Sequence, residues 1–181
     1  TLHQKTASLL IDPFTTLATF LTRRSVEKAF QLDEWPADLT LNPAKPLGSS
    51  PPFITTAVDD VMYIVHQVLQ RTLSTCQRAV VASVVPAVGR VLGADFFGVV
   101  QRRMRDESFP KAAIAGALPG EGVIVQFVVL VNDLSVATEY VKRIVRTCLG
   151  APGGEGQQSA EKGVAGAALA DNFPFGHEGI A

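Results

Sequence analysis

Apolar side chains recur at steps of three and four residues in several parts of this chain, the spacing of one face of an α-helix. The first such part runs from about Thr6 to Leu32, and its apolar positions lie four, three and four residues apart. These positions are Leu10, Phe14, Leu17 and Leu21. The pattern predicts a helix that carries its larger apolar side chains on one face.

Pro13 interrupts this first helix, because a proline lacks a backbone hydrogen-bond donor. One interpretation is a helix that kinks at Pro13. The other is a helix that begins near Asp12, a good N-cap residue followed by proline at the first helical position. We predict the later start.

A second, longer helix is predicted from Thr55 or Thr56 to Gly89, with a possible kink near Pro86. Either threonine can cap its start, and Asp59 places a carboxylate at the positive end of the helix. At about 1.5 Å per residue the helix would be roughly 50 Å long, which favours a rod-like bundle. Its apolar stripe comprises Val58, Val61, Met62, Val65, Val68, Leu69, Leu73, Cys76 and Val80.

Two further helices are predicted in the second half of the chain. A short amphipathic helix covers Asp95 to Arg105, and a last helix runs from Phe127 to Cys148 with the heptad-like spacing of helices that pack along each other, as in a coiled coil. Residues 123–131 are rich in β-branched side chains, so a strand is the alternative there. Seven side chains are predicted to lie in the core: Val61, Val65, Leu69, Leu73, Leu130, Leu134 and Val141.

Segments rich in proline and glycine separate these helices and suggest a domain organisation. We expect residues 1–32 to end a preceding helical bundle, 33–54 to form a mobile proline-rich connector, and 55–149 to form a helical bundle domain. A second connector, Ser108–Gly122, lies inside that domain. Residues 150–181 are predicted to be a flexible linker with a weak helix or tail.

Composition narrows the class of protein. Hydrophobic residues make up 47% of the chain, charged residues 18%, and the formal net charge is -1, which favours a globular protein and argues against a nucleic-acid partner. The longest apolar runs are shorter than the roughly 20 residues that span a bilayer, so no transmembrane segment is predicted. Cys76 and Cys148 lie far apart, which indicates a reducing compartment. We expect a soluble, cytoplasmic chain, cut from a longer protein because it opens without methionine.

Residues that carry chemistry form no recognisable site. The glycines of residues 150–156 lack the Lys-Ser or Lys-Thr pair of a phosphate-binding loop, and the histidines are isolated from one another. His66 is expected to be a packed or surface histidine, and both cysteines to be small buried side chains. No catalytic, cofactor-binding or metal-ligating residue is predicted, no cofactor is expected, and binding residues remain unknown.

Charged residues also have an unremarkable interpretation. Asp59 is assigned to helix capping, whereas Asp33-Glu34 and Asp106-Glu107 are assigned to loop solvation. One basic concentration is expected to be a solvated helix face, with contact to anionic lipid or an acidic partner as the alternative. It comprises Arg90, Arg102, Arg103 and Arg105.

Several motifs give the chain a family resemblance. The run 58–65, Val-Asp-Asp-Val-Met-Tyr-Ile-Val, is followed by Arg-Thr-Leu-Ser at 71–74, and Phe-Val-Val-Leu-Val-Asn-Asp-Leu occupies 127–134. In this order and spacing they resemble subunit 4 of the conserved oligomeric Golgi tethering complex, from about Ala18 to Leu149. Residues 36–52 look like an insertion relative to that family, and 173–176 depart from its pattern.

The resemblance implies an all-α, elongated stacked helical bundle of the multisubunit tethering complex type, without a catalytic site. It implies a structural subunit in intra-Golgi retrograde vesicle tethering, peripheral to the Golgi membrane on its cytosolic face. The implied partners are sister subunits, SNAREs of the syntaxin class and Sec1/Munc18-type proteins. The alternative is a small helical bundle that binds a small molecule or acts as an enzyme, which would need convergent polar groups in its core.

Overall fold

The computed structural model describes residues 2–111 and 119–149, and within them the backbone forms helices and loops with no strand. Three π-helical segments, Ala7–Ile11, Leu92–Phe97 and Arg103–Glu107, continue neighbouring α-helices. The all-α helical bundle is therefore confirmed. The α-helices are α1 (Leu2–Thr6), α2 (Asp12–Gln31), α3 (Thr56–Ser74), α4 (Arg78–Val91), α5 (Gly98–Arg102) and α6 (Glu121–Leu149).

The first helix does not start at Asp12. Helical backbone precedes it, because Ile11 has φ -73° and ψ -48° and the π-helical segment Ala7–Ile11 continues directly into α2. The predicted N-cap at Asp12 is therefore wrong. Pro13 instead lies inside continuous helical backbone, at the second residue of α2 and directly after the π-helical segment.

The predicted single helix from Thr55 or Thr56 to Gly89 is wrong, because one helix ends at Ser74 and the next begins at Arg78. Cys76 adopts the left-handed conformation with φ 52°, and its N–H donates to the Leu73 carbonyl at 3.0 Å. The Thr75 hydroxyl donates to the Thr72 carbonyl at 2.7 Å. Together these bonds supply donors to backbone carbonyls in the last turn of α3. The chain then reverses direction, and α4 packs beside α3.

The helix that follows this break is longer than expected. It runs without interruption from Arg78 to Glu107, so the predicted separate helix over Asp95–Arg105 is part of a 30-residue element. Pro86 is accommodated inside α4. Gly89, the predicted end of the second helix, is a buried residue inside this element.

Cross-helix hydrogen bonds fix the directions of the helices. The Thr15 side chain on α2 forms a hydrogen bond with Ser83 on α4 at 2.9 Å. Further along α2, Arg23 pairs at 2.9 Å with Asp95, in the segment Leu92–Phe97 that continues α4. These pairs advance together along the chain, so α2 and α4 run parallel. The end of α2 meets the start of α3, where the Thr56 N–H donates to the Glu34 carbonyl at 3.2 Å, so these two helices run antiparallel.

The last helix is α-helical from Glu121, so the strand alternative over residues 123–131 is wrong. Helix α6 packs along α3, as expected, and Leu130 and Ala137 are buried between them and their neighbours. Gly122, placed in the second connector by the sequence, belongs to α6. Residues 112–118 of that connector, and the whole of 150–181, lie outside the described residues.

One core joins side chains of α2, α3, α4, α6 and the segment Leu92–Phe97. Of the seven predicted core residues, five are buried, while Leu73 and Leu134 are partly buried. The sequence prediction omitted several fully buried side chains: Phe96, Leu92, Val84, Val85 and Val88. The division of the chain into domains stays a prediction.

Candidate protein-docking surface

Residues singled out for chemistry do not converge. Within residues 2–111 and 119–149, no group of three or more His, Cys, Asp or Glu side chains is placed to hold a metal ion. His66 is partly buried, and its Nε2 atom lies away from solvent without a hydrogen-bond partner, as in a packed histidine. His66, one of the residues weighed for chemistry, is therefore a packed side chain in this structure.

The two cysteines differ in environment. Cys76 is exposed at the α3–α4 break, so its expected burial is wrong, because the helix that would have buried it ends two residues earlier. Cys148 packs partly against the core, and burial raises the pKa of its thiol. The raised pKa of the Cys148 thiol is opposite in direction to the lowered pKa of a catalytic cysteine.

Asp33 connects three parts of the bundle. One of its carboxylate oxygens accepts a hydrogen bond from the Ala57 N–H at the start of α3, at 3.1 Å, and the other pairs with Arg103 at 2.8 Å. The Asp33 side chain is only 4% exposed. The Arg103 guanidinium also lies over the Phe30 ring, 4.8 Å from its centroid. The predicted loop solvation of Asp33 and solvated face of Arg103 are therefore wrong.

A second buried carboxylate lies on α6. Asp133 is 1% exposed and accepts hydrogen bonds from the Thr55 N–H at 2.8 Å and the Thr55 hydroxyl at 3.1 Å. Burial raises its pKa to about 6, with a further contribution from the negative charge of Asp33, while the Thr55 bonds and Arg103 act in the opposite direction. Thr55 occupies the N-cap position of α3, but its side chain caps no helical N–H.

Asp59 lies in the first turn of α3 as predicted, and it also contacts α6. It accepts a hydrogen bond from the Tyr140 hydroxyl at 2.8 Å, and this bond raises the pKa of the tyrosine. The Asp59–Tyr140 contact lies four residues after Thr55 along the α3 side and seven residues after Asp133 along α6. The two contacts together fix the register of α3 against α6. These polar contacts join α3 to α6.

The remaining basic residues do not form one patch. Arg90 and Arg102 are exposed, and the Arg102 side chain donates to the Gly98 carbonyl of its own helix at 3.3 Å. Arg105 pairs with Asp106 at 2.7 Å, on an exposed part of the chain. The solvated-face prediction holds for these three arginines.

Three leucines of α2 and of the π-helical segment before it are turned away from the core. Leu10, Leu17 and Leu21 are 66%, 57% and 43% exposed, whereas smaller residues of α2 fill the core side. Phe20 adds a further large exposed side chain beside them. The buried residues of α2 are Ala18, Thr22, Val26 and Ala29. Exposed aliphatic and aromatic side chains in one row mark a surface for another protein or for a membrane.

A second apolar region surrounds the start of α6. Val128 and Val131 are 46% and 42% exposed, in a part of the helix without charged side chains. The connector from the first half of the chain lies near it, since Glu121 accepts hydrogen bonds from the Thr40 hydroxyl and the Leu41 N–H at 2.6 and 2.7 Å. These bonds lower the pKa of Glu121. The connector is thus attached to α6 at this point.

Two helices within the described residues are long and apolar enough to cross a membrane, on length and composition alone. They are Arg78–Glu107, with 56% of its most apolar window buried inside the protein, and Glu121–Cys148, with 22%. Core helices of soluble proteins meet the same criterion, so the observation is weak evidence for a membrane span.

Comparison with known proteins gives matches over most of the chain. The family model "COG4 transport protein, middle alpha-helical bundle" matches residues 1–104, and "Conserved oligomeric Golgi complex subunit 4, C-terminal" matches residues 127–181. No solved structure matches.

Two curated relatives support the same assignment. Conserved oligomeric Golgi complex subunit 4 of Arabidopsis thaliana is 26% identical over 129 residues, covering 71% of this chain and 16% of the relative. The subunit of the same name from Schizosaccharomyces pombe is 26% identical over 147 residues, covering 75% of this chain and 18% of the relative. The chain thus spans less than a fifth of either relative. It belongs to the family of subunit 4 of the conserved oligomeric Golgi complex.

Proposed function

We propose that this chain is a scaffold region of a structural subunit of the Golgi tethering complex, acting in intra-Golgi retrograde transport through protein–protein contacts. The observation that carries the proposal is the pair of family models that match in order along the chain, at residues 1–104 and 127–181. A bundle with a row of exposed leucines on α2 supports a docking role.

The proposed role is structural and not enzymatic. The buried side chains are overwhelmingly aliphatic or aromatic, and the buried carboxylates Asp33 and Asp133 are engaged by backbone and side-chain donors of the bundle itself. A bundle that binds a small molecule or catalyses a reaction would present convergent polar groups to a cavity. That alternative is not favoured.

The proposed partners are sister subunits of the complex, SNAREs of the syntaxin class and Sec1/Munc18-type proteins. The proposed location is the cytosolic face of the Golgi membrane, with the protein bound peripherally and without a transmembrane segment. No nucleic acid and no cofactor are part of this proposal. Residues 55–149 would supply the helical bundle domain, with α2 packed in the same core, and residues 33–54 would be the connector between them.

Affinity capture tests the proposal with the full-length protein that carries this chain. The tagged protein is expected to recover sister tethering subunits and Golgi SNAREs from a cytosolic extract. A variant with Val84→Asp, which places a charge at a fully buried position of the bundle, is expected to recover less, and Ser135→Asp on the exposed side of α6 serves as the control. Recovery of neither subunits nor SNAREs by the unaltered protein would refute the scaffold function.

A further inference from the structure

The exposed side of α2 and of the π-helical segment Ala7–Ile11 before it carries a seam with the spacing of two-helix packing. Leu10, Phe14, Leu17 and Leu21 follow at steps of four, three and four residues, which are the a and d positions of a heptad. Phe14 touches the core at one border of the seam, while the three leucines point largely to solvent. The seam therefore has the pattern of a helix that packs against one more helix.

The next two positions of the same heptad pattern are occupied by basic residues. Arg24 lies three residues after Leu21, and Lys28 four residues after Arg24, so both occupy the next core positions of the heptad and both are exposed. Arg24 pairs with Glu27 on its own helix, with 65% of the arginine side chain exposed. An exposed pair of this kind contributes little free energy, so Arg24 can exchange Glu27 for a carboxylate of a partner.

The seam is presented in a fixed orientation. On the opposite side of α2, Thr15 bonds to Ser83 and Arg23 pairs with Asp95, both at 2.9 Å. Val26 is 2% exposed and anchors the helix in the core. A partner would therefore meet a preformed helical surface and would not have to order α2, which reduces the entropic cost of binding.

We propose that this seam, from Leu10 to Lys28, docks an amphipathic helix of a sister tethering subunit. The apolar stripe of that helix would face Leu10 to Leu21, and aspartate or glutamate residues at one end would face Arg24 and Lys28. The inference rests on the proposed scaffold function and names one surface through which that function operates.

Charge complementarity favours this occupant over a second copy of the chain. A parallel second copy in register would place Arg24 and Lys28 against the same residues of the other copy, and like charges at core positions repel. An antiparallel second copy would place the basic end against the leucines. An acidic partner helix avoids both conflicts.

A membrane is a weaker occupant of the same seam. Helices that lie on anionic membranes carry basic residues along their polar face, beside the apolar stripe. Here the basic residues Arg24 and Lys28 extend the stripe at one end, and the acidic residues Asp12 and Glu27 are exposed on the same helix. That arrangement fits a protein helix with a matching sequence of apolar and acidic positions.

Site-specific photocrosslinking tests the assignment in the full-length protein within the assembled complex. A benzophenone amino acid at Leu17 is expected to crosslink to a helical segment of a sister subunit that carries acidic residues next to an apolar stripe. The same probe at Leu47, a 49% exposed leucine on the connector, is the control and is not expected to reach that segment. Crosslinks to the same polypeptide, to a second copy, to lipid or to nothing would overturn the docking proposal.

Charge reversal gives a second readout. The double variant Arg24→Glu, Lys28→Glu is expected to reduce the Leu17 crosslink at least about tenfold, since like charges would then face each other. The exposed pair Arg90→Glu, Arg102→Glu is the matched control and is expected to leave the crosslink intact. An unchanged crosslink in the first variant would overturn the charge match. If affinity capture still recovers sister subunits while Leu17 crosslinks elsewhere, this inference fails and the proposed function stands; if capture recovers none, the proposed function itself fails.

Discussion

Thr55 donates both its backbone N–H and its hydroxyl to the two carboxylate oxygens of Asp133, at 2.8 and 3.1 Å, across 78 residues of sequence. The pair joins the start of α3 to α6 inside the bundle. The negative charge of Asp33 contributes to the raised pKa of Asp133. Asp33 also accepts a hydrogen bond from the Ala57 N–H in the first turn of α3. Two carboxylates and Arg103 therefore share the region where α2 ends and α3 begins.

The pKa of Asp133 predicts a stability that rises on mild acidification. Its folded-state pKa of about 6 lies above the ordinary value of 3.8, so the native state binds the proton more tightly than the unfolded state. This contribution is fully present below pH 4 and is lost as the pH rises through 6. We expect it to add about 1.4 kcal/mol to the free energy of unfolding at pH 5 relative to pH 7, measured by chemical denaturation.

The variant Asp133→Asn isolates this effect. Asparagine is neutral and can still accept from the Thr55 N–H. When the pH is lowered from 7 to 5, the free energy of unfolding should therefore rise in the wild type relative to the variant. Asp106→Asn is the control, because Asp106 is exposed, pairs with Arg105 and has a lowered pKa. Parallel pH curves for wild type and Asp133→Asn would contradict the prediction.

Apolar periodicity identified the elements whose packing repeats along one face. It predicted α6 as a helix that packs along another, and it identified Val61, Val65 and Leu69 as core residues. A repeat of this kind shows which residues share a face of the helix, but it does not show whether that face packs against the core or lies in solvent. The leucines of α2 have the same spacing as a buried stripe, yet they lie in solvent.

Pairings between distant residues could not be predicted from local patterns. Asp33 and Arg103 are 70 residues apart, and each looks like an ordinary surface charge in its own segment. Only the parallel course of α2 and α4, with the Leu92–Phe97 segment continuing α4, brings them together. The buried Asp133 is similar, since a single carboxylate inside an apolar helix has no sequence signal for its partner Thr55.

The Arg103–Asp33 pair predicts a contrast between two neighbouring arginines. Arg103→Ala would leave the Asp33 carboxylate buried without its counterion and remove the contact with Phe30, so we expect a loss of about 2 to 4 kcal/mol in the free energy of unfolding. Arg102→Ala, on the exposed side, is expected to change it by less than about 0.5 kcal/mol. Denaturant titrations of both variants measure the difference.

A double-mutant cycle separates the pair from its surroundings. If the ion pair carries the effect, Asp33→Ala and Arg103→Ala together should cost less than the sum of the single variants. Additive losses would indicate that Arg103 acts through its packing on Phe30 alone. Equal losses for Arg102→Ala and Arg103→Ala would contradict the assignment of Arg103 to the buried pair.

Adjacent residues on α6 give a matched test of the core. Leu130 is 1% exposed and Val131 is 42% exposed. Leu130→Ala should leave a cavity between α6 and its neighbours and lower the free energy of unfolding by about 2 to 5 kcal/mol. Val131→Ala removes a side chain that is 42% exposed, so we expect a much smaller change, within about 0.5 kcal/mol.

Thermal unfolding followed by circular dichroism measures both changes in the same helix. The comparison also tests the register of α6, because a rotation by one residue would exchange the two environments. A larger loss for Val131→Ala than for Leu130→Ala would show that the apolar start of α6 is packed differently in solution.

Cys76 marks the break that the sequence pattern concealed. Val80 continues the spacing of the α3 stripe, so periodicity alone extends the helix through residues 75–77. The left-handed conformation of Cys76, with φ 52°, ends α3 there, at a position where helices usually carry glycine. A side chain with a Cβ atom is strained in this conformation, and the strain is released in the unfolded chain.

Cys76→Gly should therefore stabilise the bundle by about 1 kcal/mol, because glycine adopts the left-handed conformation without the Cβ conflict. Cys76→Ala is the matched control, since it removes the same exposed thiol and keeps the Cβ atom, and it should give no gain. Differential scanning calorimetry of the two variants distinguishes them. Because glycine also gains freedom in the unfolded state, the measured gain will be the strain relieved minus that entropy. A glycine variant that is less stable than the alanine variant would mean that residue 76 does not adopt the left-handed conformation in solution, and the break between α3 and α4 would have to lie elsewhere.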